Sequence, residues 1–172
     1  SFLEHLIEHW VLQGVDDFIF LLHYEAKQIE YLLDKLSASN KFSNTTFRSV
    51  IESKPLGTGG SILNAIDKFN INKSFMVANA DTWLGSGIQE LAIMKTPALL
   101  AVNVSDVRRY GSLEFSSNMV VSFREKTSLV EQGYVNSGSY NLLPNNFDGF
   151  ELGSNFSLEE KIFPRLIANN TR

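Results

Sequence analysis

The stretch Lys54-Pro55-Leu56-Gly57-Thr58-Gly59-Gly60-Ser61 sets three glycines and a threonine between an apolar run and a helical stripe. Glycine lets backbone N–H groups come close to a ligand, and the start of a helix attracts anions. The spacing is neither that of a Gly-x-x-x-x-Gly-Lys-Ser/Thr phosphate loop nor Gly-x-Gly-x-x-Gly. The same residues would serve equally as a tight strand-to-helix turn. Asp81 follows the apolar run Phe75–Ala78 after Asn79 and Ala80. In open α/β sheets ligands bind beyond the carboxyl ends of strands. A carboxylate there, with Asn79 and Thr82 beside it, is a natural magnesium ligand. An Asp that caps a helix or sits in a solvated turn would look the same.

Glu125-Lys126 follows the apolar segment Val120–Phe123, and Asn136-Ser137-Gly138-Ser139-Tyr140 stands in a neighbouring strand-like segment. Charges and small polar groups at strand ends hold sugar hydroxyls or phosphates. An exposed ion pair and a glycine bulge give the same pattern. His5-Leu6-Ile7-Glu8-His9 has the His-x-x-Glu-His order of one class of zinc hydrolase, with both histidines on one helix face. The apolar face of that helix is Leu3, Leu6, Trp10 and Val11, so the plain amphipathic reading leaves His5, Glu8 and His9 to solvent. Cysteine is absent, which excludes disulfides, thiolate zinc sites, iron–sulfur clusters and a thiol nucleophile. No Gly-x-Ser-x-Gly elbow occurs.

These groups need a scaffold, and the periodicities describe one. Leu3, Leu6, Ile7, Trp10 and Val11 form a helical stripe that Gly14 stops. Phe18–Leu22 is a continuous apolar run, the mark of a strand buried on both faces. Ile29, Leu32, Leu33 and Leu36 make a second helix, and 47–53 reads as a strand. Ile62, Ala65, Ile66 and Phe69 make a third helix, followed by the strand at 75–78. A short helix at 88–94 and a strand at 98–104 complete the alternation. Helix alternating with buried strand predicts an α/β fold with a mostly parallel sheet. Residues 111–143 read instead as short β segments with turns at Gly111, Ser116-Ser117-Asn118 and Gly133. The last helix opens with the Ser-x-x-Glu capping pattern Ser157-Leu158-Glu159-Glu160, and Pro164 should kink or restart it.

At 172 residues, with 44% apolar and 20% charged residues, the chain suits one domain with a substantial core and is not disordered. A net charge of −4 without a Lys/Arg cluster argues against nucleic acid as a partner. No apolar run approaches the ~20 residues of a membrane span. Glu4 and Glu8 interrupt any signal-peptide pattern at the start, so a cytoplasmic protein with no membrane partner is expected.

Taken in order, the segments resemble the sugar-1-phosphate nucleotidyltransferases, and within them the heptose 1-phosphate and mannose-1-phosphate guanylyltransferases. The carrying segments are 2–6, 14–18, 24–29, 52–60, Ala78-Asn79-Ala80-Asp81-Thr82, Arg109-Tyr110-Gly111, Phe123-Arg124-Glu125-Lys126 and 135–140. Ser157-Leu158-Glu159-Glu160 with Phe163-Pro164 also matches. The resemblance implies a Rossmann-like, doubly wound mixed sheet over residues 1–172, with a nucleotide-binding half (1–104) and a sugar-phosphate-binding half (105–172). It implies joining of a nucleoside triphosphate, GTP favoured, to a sugar 1-phosphate, with release of pyrophosphate. Asp81 would hold Mg2+ and, with Lys126, serve catalysis. Glu52, Gly57, Thr58, Gly59 and Asn79 would bind the nucleotide. Tyr110, Gly111, Glu125, Lys126, Asn136 and Gly138 would surround the sugar phosphate. A homo-oligomer is compatible with the pattern.

The family's opening strand and glycine-rich triphosphate loop have no counterpart in these residues. Neither does its closing strand region with a second metal-binding aspartate, and Ala80 stands where the family commonly has glycine. The expectation is a domain without those parts. A catalytically inactive sugar-nucleotide-binding regulatory domain is the alternative reading, since fold does not imply activity. A zinc hydrolase using His5, Glu8 and His9 is the remote one.

Overall fold

The computed structural model describes residues 1–108, 110, 112–124 and 130–170. The chain forms two compact units. The first comprises Ser1–Asn72 with Phe147–Lys161, and the second Lys73–Asn146 with the segment from Ile162 onward.

In the first unit, α1 (Phe2–Leu12) begins at Ser1, whose hydroxyl accepts the Glu4 N–H while the Glu4 side chain returns to the Ser1 amino group. This reciprocal cap satisfies donors that a helix start leaves unpaired. Gly14, at φ +95, turns the chain out of the helix. There follow β1 (Asp17–Leu22), α2 (Ala26–Ser37), β2 (Thr46–Ile51) and α3 (Gly57–Phe69). β1 and β2 pair in parallel from Asp17↔Thr46 to Leu22↔Ile51. The core gathers Ile7 of α1, Leu33 and Leu36 of α2, and Phe42, with Leu3, Val11, Ile29 and Leu32 packed against it. Phe18, Phe20 and Phe47 join from the strands, and Phe47 meets Phe18 at 5.6 Å and Phe42 at 5.7 Å between ring centroids. The apolar stripes legible in the sequence are therefore the faces that bury.

In the second unit, β7 (Gly133–Leu142) is the centre. It pairs antiparallel with β3 (Phe75–Ala78), β4 (Ala98–Val104) and β5 (Ser112–Ser116). β5 pairs in turn with β6 (Met119–Arg124) through a tight turn with Ser117 at φ +55. The short helix α4 (Ile88–Ile93) buries Ile88 and Leu91 completely. A π-helical turn at Leu158–Ile162 leads into α5 (Phe163–Asn170), so the helix restarts beside Pro164. Phe163 stacks on Phe123 and tilts against Tyr140 at 4.8 Å. The α/β class agrees with the alternation in the sequence. The pairing is mixed and not mostly parallel as the alternation suggested: β1 and β2 pair in parallel, while the strands around β7 pair antiparallel, because a buried apolar run does not fix the direction of its neighbour.

Asn141 is 3% exposed in the middle of this sheet, and its amide donates to the carbonyls of Leu91 and Ala92 at 3.0 and 3.4 Å. It thus gives the Leu91 carbonyl, which also takes the Met94 N–H at 3.3 Å, a second donor and reaches the Ala92 carbonyl at the end of α4. Asn141→Leu is expected to lower stability by about 1 kcal/mol, because the hydrogen bonds of a buried amide to the end of α4 are lost while the Leu91 carbonyl keeps the Met94 N–H. Denaturant unfolding with an unchanged slope and a lower midpoint checks this.

Candidate functional site

The first turn of α3 is best followed through its N–H groups. A helix leaves its first N–H groups without intrahelical partners. The N-cap position of α3 is Leu56, which offers no side-chain cap. The Leu56 N–H donates to Glu52 Oε2 at 3.1 Å. The Gly59 and Gly60 N–H groups both donate to the carbonyl oxygen of Phe156, at 2.9 and 3.3 Å. Between them in sequence, the N–H groups of Gly57 and Thr58 make no hydrogen bond with any described residue. The helix start therefore presents two adjacent open donors, flanked on both sides by satisfied ones.

Glu52 anchors this turn from the end of β2. It is 9% exposed, and its own N–H donates to Leu22 O at 2.8 Å. Its carbonyl accepts from His23 Nδ1 at 3.0 Å. Buried polar groups need such partners, and here they tie the carboxyl ends of β1 and β2 to the turn.

The glycines answer to close packing by the segment 154–158. A Cβ on Gly57, which sits at φ +70, would lie 2.6 Å from the Phe156 carbonyl oxygen. A Cβ on Gly59 would enter the Phe156 ring, and one on Gly60 would meet the Ser154 carbonyl. Phe156 N–H donates to Leu56 O, and the Asn155 amide donates to Pro55 O. The Thr58 hydroxyl donates to Glu159 Oε2 at 2.9 Å and accepts the Leu158 N–H at 2.8 Å. Sequence reasoning missed Phe156 and treated Glu159 only as part of a capping pattern. The Ser157 hydroxyl does cap, accepting the N–H groups of Glu159 and Glu160, but it donates its proton to Glu159. A pairing across one hundred residues leaves no trace in local periodicity.

A second cluster forms in the other unit, where β3 ends beside β7. Asn79 N–H donates to Gly138 O at 3.1 Å. Gly138, at φ +75, packs so closely that a Cβ would meet the Asn79 amide. Gly138 N–H donates to Asn136 Oδ1 at 3.0 Å, and the Asn136 amide donates to the Tyr140 hydroxyl at 2.7 Å. The Tyr140 ring is 2% exposed, so this phenol fixes the Asn136 side chain. Asp81 lies just past β3, exposed, and accepts the Thr82 hydroxyl at 3.2 Å. It forms no ion pair with a described residue. Tyr110 is 49% exposed. Gly111, Glu125 and Lys126 lie outside the described residues.

The histidine motif does not form a metal centre. Glu8 is held by Lys41 at 2.5 Å, and the hydrogen bond from that ammonium pulls its carboxyl below the usual carboxylate range. His9 Nε2 is engaged by the Gln13 amide at 2.8 Å, and His5 lies 3.9 Å from Glu8. Among the described residues no group of three or more His, Cys, Asp or Glu is placed to hold a metal ion. The i, i+4 spacing is met, but each candidate ligand has a competing neighbour, so the zinc reading is withdrawn.

No model of a known protein family matches the chain. The chain is 33% identical to the D-glycero-alpha-D-manno-heptose 1-phosphate guanylyltransferase of Campylobacter jejuni, over 92% of this chain and 69% of that protein. It is 30% identical to the mannose-1-phosphate guanylyltransferase of Mycobacterium tuberculosis, over 98% of this chain and 47% of that protein, so it spans about half of that relative. Among solved structures, HddC from Yersinia pseudotuberculosis complexed with GMP-PN superimposes with a TM-score of 0.78 at 31% identity. That match covers 96% of this chain and 72% of HddC. The inositol-1-phosphate CTP transferase of T. maritima superimposes with a TM-score of 0.73 at 13% identity, a likeness of fold alone.

Proposed function

Because the chain belongs to the sugar-1-phosphate nucleotidyltransferase family, we propose that it transfers a guanylyl group from GTP to a sugar 1-phosphate of the heptose or mannose type. In that reaction a phosphate oxygen of the sugar phosphate attacks the α-phosphorus of GTP. The bond from that phosphorus to the bridging oxygen breaks, and pyrophosphate leaves with the electron pair. The nucleophile is already anionic, so the protein's task is in-line positioning and charge neutralisation rather than proton removal.

The observation that carries the reading is the pair of open N–H groups at Gly57 and Thr58. They suit the ring nitrogen and carbonyl acceptors of a guanine edge. A helix start would ordinarily attract phosphate. Here the Glu159 carboxylate stands 2.9 Å from the Thr58 hydroxyl, and its charge disfavours a second anion at that place. A neutral base is the better occupant. In the other unit, Asn136 and Gly138 supply the polar groups assigned to the sugar phosphate, with Tyr140 holding Asn136 in place.

The donor set around Asp81 fits magnesium. The carboxylate is exposed, lacks a cationic partner among the described residues, and has one oxygen engaged by Thr82. Mg2+ keeps several waters and needs only one or two carboxylates besides substrate phosphates. When bound, the ion would neutralise charge on the reacting phosphates. The relatives' names support a place in making nucleotide-sugars; supply of surface polysaccharide from the cytoplasm is our extension of that reading. No helix among the described residues is long and apolar enough to cross a membrane.

Calorimetric titration of the chain with GTP, CTP, UTP and dTTP, in magnesium buffer, tests the reading. GTP should bind most tightly. Equal binding of the four would remove the guanine assignment and leave the family membership intact. If neither a nucleotide nor the sugar phosphate binds, the regulatory or non-functional reading replaces this one.

A further inference from the structure

We propose that Glu159 is a positioning residue for nucleotide recognition, acting through Thr58 to hold the start of α3 with the Gly57 and Thr58 N–H groups open. The inference rests on the reading of that turn as the nucleobase site.

An ordinary helix start is closed by a Ser, Thr, Asp or Asn at the N-cap, whose side chain takes a first-turn N–H. The chain has Leu56 at that position, and the one hydroxyl in the turn, on Thr58, does not bond to the helix's own backbone. It donates to Glu159 Oε2 at 2.9 Å and accepts the Leu158 N–H at 2.8 Å. The same Oε2 accepts the Ser157 hydroxyl at 2.9 Å. One carboxylate oxygen of Glu159 thus gathers the neighbouring Ser157 hydroxyl and that of Thr58, which stands 101 residues from Glu159 in sequence. Glu159 and Thr58 are both exposed, so the arrangement buries no apolar surface that would explain it as packing. Nor does Glu159 cap its own helical turn, a role that the Ser157 hydroxyl already fills. What the latch does is keep the Thr58 side chain away from the open N–H groups and fix the turn against the segment 154–158. The Phe156 carbonyl holds the next two donors there. A π-helical turn begins at Leu158, and such irregular turns recur at functional sites.

The test compares wild type, Glu159→Ala, Glu159→Gln, Thr58→Val and the double variant Glu159→Ala/Thr58→Val in the full chain. The readouts are dissociation constants for GTP and for mannose 1-phosphate, with the melting temperature. Glu159→Ala and Thr58→Val should each weaken GTP binding about tenfold, the scale of one hydrogen bond to a charged group. In GTP affinity the double variant should be no worse than Thr58→Val alone, because the Thr58–Glu159 link is already broken there. Glu159→Gln, whose amide oxygen still accepts the two hydroxyls, should recover most of the affinity. Mannose 1-phosphate binding should not move in any variant, nor the melting temperature in Glu159→Ala and Glu159→Gln; Thr58→Val also takes the acceptor from the Leu158 N–H and should melt a few degrees lower for that reason. Wild-type GTP affinity in Glu159→Ala overturns the proposal. So does a joint fall of both affinities with the melting temperature, which would make the latch a fold element only. If wild type itself binds no nucleotide, the base-site reading has failed and this proposal falls with it, an outcome distinct from the other two.

Discussion

Asp81→Asn is expected to slow guanylyl transfer by roughly 10²–10³-fold, the cost of removing one charge-stabilising group from a transfer site. The melting temperature should be unchanged. Asp81 is exposed, and among the described residues its carboxylate accepts the Thr82 hydroxyl, a role that an amide oxygen can keep. The substitution removes a negative charge and almost nothing else. Pyrophosphate release at saturating GTP and sugar phosphate, over a range of magnesium concentrations, reads the effect. A variant as fast as wild type would remove Asp81 from the chemistry. A deficit that high magnesium repairs would point to weakened metal affinity rather than to lost transition-state stabilisation.

Gly59→Val should cost stability by about 3 kcal/mol, at the upper end of what forced overpacking costs. GTP binding should be lost with it. The first added carbon would enter the ring of Phe156, which is 7% exposed and stacked on Phe150 at 4.4 Å. Burial and the stack on Phe150 hinder the ring from swinging away, and the bonds of the Phe156 backbone to Leu56, Gly59 and Gly60 keep the segment from retreating. Thermal melts should show a clear fall in midpoint, with GTP affinity falling in proportion. An unchanged midpoint with weakened GTP binding would mean instead that the ligand, and not Phe156, needs the bare backbone at Gly59. From the sequence alone both outcomes stood open. The packing against Phe156 favours the first and moves the expected ligand contact to the N–H groups of Gly57 and Thr58.

Much of the fold was legible. The stripes at Leu3–Val11, Ile29–Leu36 and Ile62–Phe69 are helices, and the apolar runs at Phe18, Phe75 and Ala98 are strands. Hydrophobic periodicity reports burial, and burial is what those elements share. Pro164 was expected to kink or restart the last helix, and α5 does begin at Phe163 after a π-helical turn. The reciprocal cap of Ser1 and Glu4 follows the Ser-x-x-Glu pattern. At Ser157 the same pattern is only half used: the hydroxyl caps, while the carboxylate that engages it is Glu159 and not Glu160. A motif specifies which groups can bond; the backbone path, here a π-helical turn, decides which of them meet.

What the sequence determined by itself was local and chemical. It set the element types, the absence of thiol chemistry, the glycine-rich turn after a strand, and the carboxylate at the end of another strand. These follow from residue type and short-range spacing. Only the tertiary structure decided why the glycines are glycines. The cause is a segment one hundred residues away whose carbonyl and ring press on the turn. It also decided that the Thr58 hydroxyl is committed to Glu159 and Leu158, and that Tyr140 steadies Asn136. The antiparallel course of β3 and β4 along β7 was likewise settled only in three dimensions. The physical reason is common to all of these. Hydrogen bonds and close contacts between distant segments depend on where the chain returns, and a strand buried on both faces carries the same apolar run whichever way its neighbour points.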